Sequence, residues 1–164
     1  YADRIQALDP AGPYHLLGWS FGGVVAHAVA AELQRRGADV ARLILLDAEP
    51  ALNGHATRAV DRAQLDAVAG SELPGYGRLL EQLVANFDTN VGLYGAHEAG
   101  VFRGDMLVFA AERDGHDRSA TLRQMWRPHA TGAITVHPVD CTHQEMLSAE
   151  VLSRYGDQLA RETM

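Results

Sequence analysis

The chain has 164 residues, enough for one compact domain with a proper core and too few for two ordinary ones. Hydrophobic residues make up 47% of it and no low-complexity tract is present, which favours a folded globular domain over disorder. The formal net charge of -7 argues against nucleic acid or an anionic membrane as the main partner.

The first predicted elements are a helix, a strand and a second helix. Residues 3–9 are typical of the end of a helix, which the turn-forming residues 9–13 close. The apolar run 14–17 is too short for a helix and predicts a buried strand. After a glycine-rich turn, apolar residues recur at helical spacing as far as Leu33, and Gly37 is the predicted C-cap.

The remaining pattern alternates strands and helices. Residues 40–46 are a continuous apolar run, typical of a strand that is covered on both faces in a parallel sheet. With the preceding strand and helix it forms a βαβ unit. Later elements are predicted in the same alternation: strands at 106–111 and 134–139, a helix at 118–126 and a closing helix at 144–161. The predicted class is α/β, with a mostly parallel sheet and flanking helices.

A long insertion interrupts this alternation at residues 50–104. The segment is rich in glycine, with only patchy helical stretches near 57–69 and 76–87. An insertion of this size between two sheet strands is usually a lid or binding element, and this one lies directly beside the candidate site. We therefore predict a helical lid within a domain that spans 1–164; helices that merely cover the sheet are the alternative.

Ser20 is the candidate nucleophile, in the run GWSFG at residues 18–22. The G-x-S-x-G pattern is weak alone, but here it follows an apolar strand and opens an amphipathic helix, as a nucleophile elbow requires. The flanking glycines are expected because a Cβ atom in so sharp a turn would clash with its neighbours. The turn places the hydroxyl at a helix N-terminus, which favours developing negative charge. A serine N-cap on a glycine-rich turn is the alternative.

A serine hydroxyl needs a base to remove its proton, and His143 is the predicted base. It lies in a loop after the last predicted strand and before the closing helix, where the last member of a Ser-acid-His order is expected. The competitors among the eight histidines are His116, His129 and His137. His137 lies within an apolar strand and His129 follows a proline, which favours structural or surface roles.

Two aspartates compete for the acid that orients the histidine. Asp47 ends the strand after the elbow helix, and Asp114 follows the next strand. Either could hold the histidine tautomer and stabilise its charged form. Either could instead cap a turn or a helix. Topology alone leaves the two open.

The stretch GPYHLLGWSFGG at residues 12–23 resembles the nucleophile region of the thioesterase domains that end nonribosomal peptide synthetases. The likeness continues at 26–33 and 43–48, and returns at 106–112 and around His143. Polyketide and type II editing thioesterases share the fold but usually differ around the serine. The resemblance implies an α/β-hydrolase fold, an acid on the strand after the elbow helix, which is Asp47, and a lid at 50–104.

The resemblance also implies an activity and a partner. A peptidyl or depsipeptidyl chain would pass to Ser20 from the phosphopantetheine thioester of an upstream peptidyl carrier protein domain, and hydrolysis or macrocyclisation would release it. The domain itself would hold no cofactor. The backbone N–H of Phe21 would be one oxyanion donor. The second normally comes from a loop well before the serine, and only nineteen residues precede Ser20. We therefore expect that donor elsewhere, and expect these residues alone to be inactive or poorly folded.

The remaining features concern compartment, metals and alternative functions. The single cysteine, Cys141, excludes an internal disulfide and fits a reducing cytosol, and no metal-ligand spacing stands out, so no metal is expected. No membrane-length apolar run or signal peptide is visible, and the first residue is Tyr1, which suggests a piece of a longer polypeptide. The alternative functions are a free-standing serine esterase or type II editing thioesterase, and a binding module that lost the chemistry.

Overall fold

Four parallel strands, in the order β1-β2-β3-β4, form the centre of the fold. The computed structural model describes residues 1–50 and 99–163. Within them the strands are β1 (Tyr14–Trp19), β2 (Val40–Leu46), β3 (Met106–Ala111) and β4 (Ile134–Val139). The predicted parallel α/β sheet is confirmed, and β1 is two residues longer than expected.

Four helices lie between and beside these strands in the described part of the chain. They are α1 (Ala2–Leu8), α2 (Phe21–Arg35), α3 (Arg118–Trp126) and α4 (Ala149–Thr163), with short 3-10 turns at Glu112–Asp114 and Arg127–His129. Residues 51–98, which hold most of the predicted lid at 50–104 and its helical stretches, lie outside the described residues. The lid therefore stays a prediction.

The end of α2 is a Schellman motif built around Gly37. The C-cap residue is Arg36. Gly37, which the sequence predicted as the C-cap, follows it with φ +83°. The N–H of Gly37 bonds to the carbonyl of Gln34 at 3.0 Å, and the N–H of Ala38 bonds to that of Leu33 at 2.9 Å. A glycine suits this place because only glycine adopts a positive φ without strain.

The start of α4 corrects the prediction of a helix from residue 144. Residues 143–147 form turns, and the helix begins only at Ala149. The hydroxyl of Ser148 accepts the N–H of Val151 at 3.3 Å, which is the bond of a serine N-cap. His143 therefore lies on a turn ahead of the helix, so helical geometry does not dictate where its side chain points.

The sheet is covered on both faces, as the continuous apolar run of β2 predicted. Leu43 and Leu45 belong to the core on the side of α2 and α3, whereas Ile44 and Leu46 belong to the core on the side of α4. The strands are parallel, so their carboxyl ends meet at one edge of the sheet. No helix within residues 1–50 and 99–163 combines the length and apolar character needed to cross a membrane.

Candidate active site

Ser20 occupies a sharp turn between β1 and α2. Its backbone has φ 55° and ψ -128°, a strained conformation for a residue with a side chain. Two backbone hydrogen bonds hold the turn: the N–H of Ser20 bonds to the carbonyl of Leu46 at 3.0 Å, and the carbonyl of Ser20 accepts the N–H of Gly23 at 2.9 Å. The strained serine is thus fixed to the neighbouring strand and to the first turn of α2.

The glycines around Ser20 differ in whether the structure leaves room for a side chain. A Cβ atom on Gly18 would lie 2.1 Å from the carbonyl oxygen of Gly22, and one on Gly23 would lie 2.3 Å from Cβ of Ala48. A Cβ atom on Gly22 would meet no atom of the described residues within 4 Å. The clash that we expected at both flanking glycines is therefore found at Gly18, and the expectation is wrong for Gly22. A clash is also found at Gly23, which lies outside the motif.

This contrast predicts opposite results for two alanine substitutions. We expect Gly18→Ala to destabilise the domain by more than about 4 kcal/mol, because its Cβ atom would overlap backbone. We expect Gly22→Ala to leave stability unchanged or to raise it by up to about 1 kcal/mol, because Gly22 lies in the first turn of α2. Thermal unfolding and soluble yield of both variants test this. Equal losses in the two variants would contradict it.

Three segments bring Ser20, His143 and Asp47 into one hydrogen-bonded chain. His143 Nε2 lies 2.9 Å from Ser20 Oγ, and His143 Nδ1 lies 2.6 Å from Asp47 Oδ2. Asp47 directly follows β2 and its side chain is fully buried, whereas that of His143 is 12% exposed. The side chains of the predicted nucleophile, base and acid are therefore in direct contact.

The protonation of this chain follows from the charge of Asp47. Burial raises the pKa of Asp47, but hydrogen bonds from His143 and Arg118, with the positive charge of Arg118, outweigh it and leave the pKa below its ordinary value. An ionised carboxylate can only accept, so the Nδ1–H of His143 donates to Asp47. Nε2 is then left to accept the hydroxyl hydrogen of Ser20, as a general base must.

The lowered pKa of Asp47 predicts how stability depends on pH. The group ionises near pH 4 when unfolded and lower when folded, so its contribution is present above about pH 4 and is lost as the pH falls through the folded value. We expect the stability of Asp47→Asn to fall less steeply than that of the wild type between about pH 5 and 2. Calorimetric unfolding across this range measures both slopes, and parallel curves would contradict the prediction.

Asp114, the competing acid, has a different contact. Its carboxylate accepts the backbone N–H of His143 and is not bonded to the Nδ1 atom, which Asp47 occupies. The loop after β3 therefore holds the backbone of the histidine turn, while the residue after β2 holds the ring. Both aspartates that the sequence offered as the acid therefore contact His143, Asp114 through the backbone N–H and Asp47 through the ring.

The other histidine candidates lie away from this chain of bonds. His137 bonds to Gln158 at 2.6 Å and packs on the ring of Phe109, and His129 Nδ1 lies 3.2 Å from the carbonyl of Ala99. His116 is exposed. Of these four histidines, His143 is the one that contacts Ser20 and Asp47, and it stays the predicted base.

Sequence reasoning missed two neighbours of the site. Arg118, the first residue of α3, donates from Nε to Asp47 Oδ1 at 2.9 Å and from its terminal nitrogen to Glu49. The indole of Trp19 stacks on the imidazole of His143, with ring centroids 5.1 Å apart and planes 27° apart. The motif itself pointed to Trp19, since it lies beside the serine, but no pattern pointed to Arg118.

The predicted oxyanion donor lies at a favourable place. Phe21 is the first residue of α2, directly after Ser20, at the helix end where backbone N–H groups favour negative charge. Its role as a donor stays a prediction, as does the second donor. Across residues 1–50 and 99–163, no group of three or more histidine, cysteine, aspartate or glutamate side chains is arranged to hold a metal ion.

Comparisons with known proteins agree with one another. The family model described as "Thioesterase domain" matches residues 1–159. Malpibaldin synthetase of Mortierella alpina is 36% identical over 167 residues, covering 95% of this chain and 3% of the synthetase. A dimodular nonribosomal peptide synthase of Bacillus subtilis (strain 168) is 30% identical over 189 residues, covering 98% of this chain and 8% of that protein. The chain thus spans a small part of the relatives it matches.

Two solved thioesterase domains have similar structures. One is the NocB domain in covalent complex with a fluorophosphonate nocardicin G analog, with a TM-score of 0.74, 27% identity, and coverage of 99% of this chain and 71% of that one. The other is SrfTE, described as cyclising the lipopeptide antibiotic surfactin, with a TM-score of 0.75, 26% identity, and coverage of 98% and 71%. These matches confirm the α/β-hydrolase fold that the sequence predicted.

Proposed function

The chain belongs to the thioesterase domain family, and from this premise we propose that it releases a peptidyl or depsipeptidyl chain from the phosphopantetheine thioester of a carrier protein. The observation that carries the proposal is the bonded series from Ser20 through His143 to Asp47. The relatives support the substrate class, since the Bacillus subtilis relative is a nonribosomal peptide synthase and the solved domains include one described as cyclising a lipopeptide.

In the first half of the reaction, Ser20 becomes acylated. His143 Nε2 takes the hydroxyl proton as Ser20 Oγ bonds to the thioester carbonyl carbon, and Asp47 stabilises the imidazolium. The N–H of Phe21, at the start of α2, would donate to the oxyanion of the tetrahedral intermediate. When the carbon–sulfur bond breaks, the imidazolium returns its proton to the thiolate of the phosphopantetheine arm.

In the second half, the acyl-enzyme is opened by a second nucleophile. His143 takes a proton from water, or from a hydroxyl or amine of the bound chain, as that oxygen or nitrogen attacks the ester carbonyl carbon. The ester bond to Ser20 then breaks and its oxygen regains the proton. Attack by water gives a linear acid, whereas attack by an internal group gives a macrocycle.

A thioester-linked peptide assay with mass detection tests the proposal. The full-length protein, incubated with a peptidyl thioester of a phosphopantetheine analogue, should show an acyl adduct on Ser20 and then a released linear or cyclic product. A fluorophosphonate should label the wild type and not Ser20→Ala. If the fluorophosphonate labels the wild type, and the protein turns over short acyl esters rapidly but does not turn over peptidyl thioesters, a simple esterase is favoured. Absence of labelling and turnover would favour a binding module.

A further inference from the structure

Arg118 stands out among the charged residues that the catalytic proposal does not use. Its side chain is only 11% exposed, and it lies between two carboxylates, those of Asp47 and Glu49, with exposed fractions of 0% and 20%. Removing charged groups from water is costly, and a buried ion pair adds little net stability even when each charge is paired, so stability alone does not account for this arrangement.

The two carboxylate oxygens of Asp47 accept hydrogen bonds from different groups. Oδ1 accepts from Arg118 Nε at 2.9 Å and from the N–H of Ala111 at 3.1 Å, and Oδ2 accepts from His143 Nδ1 at 2.6 Å. Rotation of the carboxylate would break the first two bonds, so these bonds fix the direction in which Oδ2 points. Asp47 also has φ 44°, which places its side chain on a strained backbone that benefits from external support.

We propose that Arg118 is a positioning residue: its guanidinium, anchored on Glu49, holds the Asp47 carboxylate so that Oδ2 faces His143 Nδ1. This inference rests on the proposed function, because orientation of His143 matters only if His143 is the base. Arginine suits this role better than lysine, since its planar fork reaches two carboxylates at fixed angles.

The test compares Arg118→Gln with Arg118→Lys in the full-length protein, with Arg123→Gln as the matched control. Arg123 is an exposed residue of the same helix. We expect Arg118→Gln to lower kcat by about 10²-fold with little change in KM, because misplacement of a catalytic group costs that much. Arg118→Lys should lower kcat by about threefold or more, and by less than Arg118→Gln does. Arg123→Gln should match the wild type.

Each outcome of this test is decisive. If Arg118→Gln loses stability but keeps the wild-type kcat per labelled Ser20, the role is structural and the proposal is wrong. If Arg118→Gln does not fold, a wild-type kcat in Arg118→Lys overturns the proposal instead. Proton NMR gives a readout without turnover: the resonance of the Nδ1–H that His143 donates to Asp47 should be lost or displaced in Arg118→Gln and not in Arg123→Gln. An inactive wild type with this change would reject the proposed function alone.

Discussion

Replacement of Ser20 by alanine is expected to lower thioester turnover by about 10⁶-fold, the loss seen when a triad nucleophile is removed. The fold should be preserved, because both bonds that hold the turn use backbone atoms: the N–H of Ser20 to Leu46 and its carbonyl to Gly23. Alanine at φ 55° carries the same backbone strain as serine. Release of product from a peptidyl thioester, followed by mass spectrometry, measures the effect.

The control for this prediction is the double variant Ser20→Ala/His143→Ala. Since the two residues act as one unit through the 2.9 Å bond between them, the double variant should be no slower than either single variant by more than about tenfold. Turnover in Ser20→Ala within about 10²-fold of the wild type would mean that another group forms the acyl-enzyme. Additive losses in the double variant would mean that His143 acts on something other than Ser20.

The strands were predictable because their signal is local. The predicted strands at 40–46, 106–111 and 134–139 have the same bounds in the structure. The run at 106–111 is unbroken and fully buried, as a central strand covered on both faces requires, whereas 134–139, at the edge of the sheet, alternates buried and more exposed residues. The start of α4 was not predictable in this way. Glu145 is a good helix former, and its carboxylate accepts the N–H of Thr142 at 2.9 Å, a local bond that is typical of a helix start. The same carboxylate also pairs with Arg113, in the loop after β3, and this long-range contact is not visible in the local sequence pattern.

The residues of the site also differ in whether a local sequence pattern identifies them. Ser20 and His143 could be predicted because each is tied to a boundary between a strand and a helix. Asp47 and Asp114 follow adjacent parallel strands, so both carboxylates reach the same edge of the sheet and topology cannot separate them. Arg118 lies 71 positions from Asp47, and its contact depends on how α3 packs against the loop after β2. No spacing rule covers such a contact.

Asparagine substitutions at the two aspartates should therefore have very different effects. We expect Asp47→Asn to lower kcat/KM for thioester release by about 10⁴-fold, as happens when a triad histidine is left in the wrong tautomer. The asparagine oxygen would stay on Arg118 and the N–H of Ala111, since both are donors. Its NH₂ group would then face His143, so Nδ1 would become the acceptor and Nε2 would carry the proton, leaving no lone pair for Ser20.

Asp114→Asn is the matched control, because it makes the same chemical change on the same histidine. Its amide oxygen can still accept the backbone N–H of His143, so the loss should stay below about tenfold. Fluorophosphonate labelling should slow in Asp47→Asn and not in Asp114→Asn, since attack on the probe also needs the base. Equal losses in the two variants, or a larger one in Asp114→Asn, would reverse the assignment and make the 2.6 Å contact of Asp47 with His143 a structural one.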